Sequence, residues 1–128
     1  ELIKDLEKIK YSTNPYNINR LTQVAGTAAM SENSYYMANC KRICDTREIV
    51  TKALREMGFE VLDSKTNFIF AKHESISGID IYTRLRENGI LVRHFTDEKI
   101  KDYNRITIGS EEEMKTVKKL ITMQSHIS

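Results

Sequence analysis

The chain has 128 residues, enough for one domain with its own core and too few for two. It is 40% hydrophobic and 30% charged, with 20 basic against 18 acidic residues and a formal charge of +2. That interspersed balance argues against a nucleic-acid partner or a membrane surface, and no apolar run approaches the ~20 residues that span a bilayer.

Leu2, Leu6 and Ile9 share one face of a first helix over residues 1–10. The turn signal Ser12-Thr13-Asn14-Pro15 ends it, because the residue before a proline is biased away from helix. Asn17 is the expected cap of a second helix through Ile18 to Met30, whose apolar side carries Leu21, Val24 and Ala28. Ser31 or Asn33 then caps a longer helix to Met57. Tyr36, Cys40, Ile43, Arg47, Val50, Leu54 and Met57 draw one stripe along it, stopped by Gly58. The stripe reads as a core seam, with Cys40 and Cys44 as buried free thiols in a reducing cytoplasmic setting and Arg47 in a structural role. Neither these thiols nor His73, His94 and His126 have metal-ligand spacing.

Phe59 to Leu62 and Asn67 to Ala71 read as strands. Ser77 caps a helix to about Asn88, with Ile79, Tyr82 and Leu85 inward and Gly89 ending it. Two strands follow, Gly89 to Phe95 and Arg105 to Gly109, joined by a polar connection that includes Asn104. Ser110 with Glu113 makes a capping box for a last helix burying Met114, Val117, Leu120 and Ile121, and residues from Gln124 read as a tail. The expected fold class is α+β: a small, mainly antiparallel sheet with helices packed on one face. Residues 1–30 form a helical lead-in and residues 31–128 the α+β domain. The opening Glu1-Leu2-Ile3-Lys4, without an initiator methionine, reads as a piece of something longer.

No glycine-rich phosphate loop, nucleophile elbow or metal set appears. What remains is Arg93 and Arg105, one on each late strand. By residue type alone they read as edge arginines that keep an exposed strand soluble. Position argues otherwise for Arg105: it opens a strand needed for the core, where a guanidinium is costly unless an anion meets it. Folded back as an antiparallel ribbon, the two strands would fork both guanidiniums toward one small anion.

Pro15-Tyr16-Asn17-Ile18-Asn19, Ser64-Lys65-Thr66-Asn67-Phe68, Gly89-Ile90-Leu91-Val92-Arg93 and Arg105-Ile106-Thr107-Ile108-Gly109-Ser110 stand in that order. Together they resemble the C-terminal third of histidinol-phosphate aminotransferases, pyridoxal-phosphate enzymes of the aspartate-aminotransferase fold. Related aromatic-amino-acid aminotransferases and threonine-phosphate decarboxylases share much of the pattern. The resemblance implies a cytoplasmic homodimeric parent that uses histidinol phosphate and glutamate or 2-oxoglutarate. It gives substrate binding to Arg105 (carboxylate or phosphate) and Arg93 (phosphate). The family's Schiff-base lysine and cofactor-holding residues have no counterpart in this sequence, Lys65 included, so the chain alone is expected to bind no cofactor and to be inactive. A stand-alone α+β regulatory module has similar elements and is the alternative of another class. Nucleic-acid binding through the sheet lacks a basic face and, by expectation, an aromatic pair on adjacent strands.

Overall fold

A computed structural model describes residues 1–13 and 16–122. Asn14 and Pro15 of the expected turn, and the tail with His126, lie outside these residues. The coordinates form two compact units, Glu1–Ala38 and Asn39–Ser128.

The first unit holds helices α1 (Leu2–Thr13) and α2 (Arg20–Ser31) and the start of α3 (Asn33–Glu56). The cap of α2 is Asn19 rather than Asn17. A capping oxygen must reach an N–H three residues on, and Asn19 Oδ1 accepts from Thr22 at 2.9 Å. The expected apolar stripes are present but uncovered, with Leu6, Leu21 and Val24 exposed by 57%, 78% and 68%.

Along α3 the seam holds over the later turns only. Leu54 is buried, and Ile43, Val50 and Met57 lean on the core, whereas Tyr36 and Cys40 are exposed and Cys44 is half-buried. The reading of both cysteines as buried thiols is therefore corrected. Periodicity marks the apolar side of a helix but not which turns of it meet a neighbour.

Four strands follow: β1 (Phe59–Val61), β2 (Phe68–His73), β3 (Arg93–His94) and β4 (Asn104–Thr107), in the spatial order β1-β2-β4-β3, antiparallel throughout. Strand pleating sends alternate side chains to opposite faces. Phe59, Val61, Ile69, Ala71 and Ile106 turn to one face, where Leu54, Ile81, Leu85, Met114, Val117 and Ile121 close the core. Each large apolar side chain buried there stabilises the fold by about 1.5–3 kcal/mol.

Helix α4 (Gly78–Glu87) starts at Ser77, whose Oγ accepts from the Asp80 N–H at 3.2 Å. Its inward residues are Ile81 and Leu85, while Ile79, expected inward, is 49% exposed. The rotation follows from Gly78, which presses against the backbone of Lys101 and Asp102; a Cβ there would lie 2.8 Å from the Asp102 carbonyl oxygen. Asn104, 1% exposed at the start of β4, donates its side-chain amide to the Gly78 carbonyl at 2.8 Å and holds helix to strand. Gly78→Ala should therefore cost about 1–3 kcal/mol, the usual range for overpacking, read as a lowered urea midpoint. An unchanged midpoint would show that this contact gives way freely.

Gly58 (φ +84°) and Gly89 (φ +78°) end α3 and α4 in the left-handed region that favours glycine. Helix α5 (Glu111–Thr122) carries the expected capping box. The Ser110 N–H donates to Glu113 Oε2 at 2.7 Å, and the Glu113 N–H returns to Ser110 Oγ at 3.3 Å. The Ser110 N–H bond, and after it the bond that the Ser110 hydroxyl donates to Glu113 Oε2 at 2.8 Å, hold the Glu113 carboxyl below its ordinary pKa. Among the described residues no helix is long and apolar enough to cross a membrane, and no cluster of His, Cys, Asp or Glu could hold a metal ion.

Candidate anion-binding site

Because the helices take one face of the sheet, the alternate residues are left on the other: Glu60, Phe68, Phe70, Lys72, Arg93, Arg105 and Thr107. Arg93 is the direct cross-strand partner of Arg105, which has Phe70 as its partner on the other side. Directly opposed residues of an antiparallel pair stand ~4.5–5.5 Å apart at Cβ, and like charges so placed repel. Both arginines are exposed, and neither makes an ion pair or hydrogen bond among the described residues. Their contacts are with aromatic rings instead. Arg105 Cζ lies 5.1 Å from the Phe68 centroid and Arg93 Cζ 5.6 Å from that of Phe95. Two uncompensated cations on a hydrogen-bonded scaffold are ready donors to the oxygens of a carboxylate or phosphate.

The ribbon is shorter than its sequence suggested. Only Arg93 and His94 pair with β4, because the Ile90 N–H is already bonded to the Leu85 carbonyl at 2.8 Å, closing the end of α4. Ile90 and Val92 act as wedges packed against the core, with Leu91 exposed between them. Asn104, placed by sequence in the connection, is the first residue of β4 and a buried anchor.

Sequence reasoning also missed the aromatic surround. Phe70 stacks on Tyr103 at 4.6 Å and meets Phe95 edge-on at 5.6 Å. Tyr103 immediately precedes β4 and Phe95 immediately follows β3, so these two rings flank the paired strands. Phe70 and Tyr103 turn their faces to one another, and Lys72 Nζ lies 5.0 Å from the Tyr103 centroid. The Tyr103 hydroxyl donates to Glu60 Oε1 at 2.6 Å, and Lys72 pairs with Glu60 Oε2 at 3.0 Å. The Tyr103 bond, then Lys72, lowers the Glu60 pKa; Glu60 in turn raises those of Lys72 and Tyr103.

A depressed carboxylate adds stability above its unfolded pKa and loses it as pH falls through the folded value. Glu60→Gln should therefore be less stable than the parent at neutral pH, with the difference closing on acidification through the lowered Glu60 range. Urea midpoints measured against pH check this, and a deficit that does not change with pH would contradict it.

Arg47 takes the structural role expected of it, donating to the Thr66 carbonyl at 2.6 Å. The pyridoxal phosphate implied by the resemblance would need a lysine to carry it. A Schiff-base lysine needs a depressed pKa, whereas Lys41, Lys72 and Lys101 each pair with a carboxylate that raises theirs. Lys65 is exposed in the connection before β2.

The sequence pattern described as aminotransferase class I and II matches residues 4–121. The histidinol-phosphate aminotransferase of Brachyspira hyodysenteriae is 48% identical over 113 residues, covering 88% of this chain and 32% of that protein. The crystal structure of the histidinol-phosphate aminotransferase from Clostridium acetobutylicum superposes with a TM-score of 0.76 at 24% identity, over 92% of this chain and 36% of that one. The Sinorhizobium meliloti enzyme, in complex with pyridoxal-5'-phosphate, gives 0.73 at 21% identity, over 87% and 32%. At those identities the two structures speak to the fold. This chain spans about a third of the length of the curated relatives it matches.

Proposed function

The chain belongs to the class I and II aminotransferases, and from that membership we propose that it is the small C-terminal domain of a histidinol-phosphate:2-oxoglutarate aminotransferase. Residues 1–30 are its helical lead-in and residues 31–128 the domain proper. Arg105 binds the α-carboxylate of glutamate or 2-oxoglutarate, or the phosphate of histidinol phosphate in its place, and Arg93 assists with the phosphate. The whole enzyme is a cytosolic homodimer, and pyridoxal phosphate, held by residues outside this chain, supplies the electron sink of amino-group transfer. The chain itself contributes anion recognition and no covalent chemistry.

The observation that carries this reading is the direct opposition of Arg93 and Arg105 on the open face, with no acid to neutralise either among the described residues. A guanidinium fork meeting a carboxylate or phosphate forms charge-assisted bonds worth roughly 1.5–3 kcal/mol each. Pinning the acidic end of the substrate fixes where its amine stands, which is the positioning part of catalysis. The identity to histidinol-phosphate aminotransferases supports the choice of substrate.

The test is the full-length enzyme supplied with pyridoxal phosphate and 2-oxoglutarate and offered histidinol phosphate, phenylalanine or threonine phosphate. Histidinol phosphate should give the highest kcat/KM. A preference for phenylalanine, or loss of carbon dioxide from threonine phosphate, would overturn the assignment.

A further inference from the structure

We propose that Phe68 is a positioning residue for Arg105, and Phe95 for Arg93: the two rings hold the opposed guanidiniums apart while leaving their charge available to an anionic substrate. The inference rests on the anion-binding role given to the arginines above.

Directly opposed arginines with no acidic partner would be expected to scatter, since each side chain carries about 2 kcal/mol of rotamer entropy and the charges repel. Here each has a ring instead. Phe68 lies on β2 two residues before Phe70, the cross-strand partner of Arg105, and is itself paired with Thr107. Phe95 lies two residues beyond Arg93, just past the end of β3. Antiparallel pairing puts these rings toward opposite ends of the strands, so the guanidiniums are drawn in opposite directions.

The rings are held from behind. Phe95 meets the edge-on Phe70 ring, Phe70 stacks on Tyr103, and the Tyr103 hydroxyl is fixed to Glu60. The Phe68 carbonyl accepts from Ser64 Oγ at 2.6 Å and Thr66 Oγ1 at 3.2 Å, which anchors that end of β2. A carboxylate in the place of either ring would also steady the arginine, but it would compete with the substrate for it. The π-face attracts a cation without cancelling its charge. Thus the chemistry of the partner, and not only its proximity, suits a cation that must stay open to an incoming anion.

The experiment uses the full-length enzyme with Phe68→Leu, Phe68→Tyr, Phe95→Leu, Arg105→Ala and the Phe68→Leu/Arg105→Ala pair. Phe68→Leu should raise KM for both histidinol phosphate and 2-oxoglutarate roughly two- to fivefold, the size of an exposed cation–π contact, with a smaller change in kcat. Phe68→Tyr, which keeps the ring, should restore the parent values. Phe95→Leu should raise KM for histidinol phosphate alone. In the Arg105→Ala background Phe68→Leu should add nothing further.

An equal factor from Phe68→Leu in both backgrounds would reduce the ring to ordinary packing and overturn the proposal. Failure of Phe68→Tyr to restore KM would do the same, even if Phe68→Leu also weakened the fold. Severe loss in Arg105→Ala with parental kinetics in Phe68→Leu would sink this inference alone. Parental kinetics in Arg105→Ala would sink the anion-binding reading with it.

Discussion

Replacing Arg105 by alanine in the full-length enzyme is expected to lower kcat/KM for both histidinol phosphate and 2-oxoglutarate by about 10²- to 10⁴-fold. A bidentate fork contributes two charge-assisted bonds of ~1.5–3 kcal/mol each, and every 1.4 kcal/mol is a factor of ten. Both substrates suffer because one cation serves the acidic end of each. Arg105 stands on β4, bonded on one side to β2 and on the other to β3, so the loss is of a group held by backbone on both flanks. Lysine at this position should recover only part of the activity, because an ammonium has the charge without the planar fork. Steady-state kinetics with each substrate varied in turn decide the matter. A loss smaller than tenfold for both would remove Arg105 from the site.

Arg93→Ala should separate the two substrates. The phosphorylated donor is expected to lose about 10- to 100-fold in kcat/KM, the worth of one charge-assisted bond, while glutamate changes little. The asymmetry follows from the ligands: a phosphate offers oxygens to both guanidiniums, whereas a carboxylate is satisfied by one fork. Relief of the repulsion between opposed cations should also leave the variant at least as stable as the parent. Equal effects on both substrates would show that Arg93 is not the phosphate reader.

Much of this arrangement is legible in the sequence. Alternation in Arg105-Ile106-Thr107-Ile108 told which side chains turn inward, and Ile106 and Ile108 are indeed buried with Arg105 and Thr107 outside. Capping at Ser77 and Ser110 and the stops at Gly58 and Gly89 were legible because they depend on neighbours within a few residues. The losses came where distant parts of the chain intervene. Asn104 reads as a loop residue until Gly78, 26 residues earlier, supplies the carbonyl that justifies burying it. Ile79 and Ile81 are equally apolar, and it is Ile81 that shares the inward face with Leu85 and with Gly78, where the Lys101 and Asp102 backbone comes close. The exposed first turns of α3 illustrate the same limit from the other side, since a periodic stripe is a capacity for burial and not its fulfilment. In the site, the two arginines announced themselves through their strands. Alternation puts Phe95 on the face of Arg93, whereas Phe68 comes beside Arg105 through the pairing of β2 with β4.

The strands that carry the two cations are unequal in tenure. One is interior, flanked by ladders on both sides; the other is a two-residue border piece beside a long excursion through residues 96–103. Lengthening or shortening that excursion would re-aim Arg93 while Arg105 kept its place. Under the proposed roles, editing that margin would change how the tail of the phosphorylated substrate is read and leave the grip of Arg105 in place.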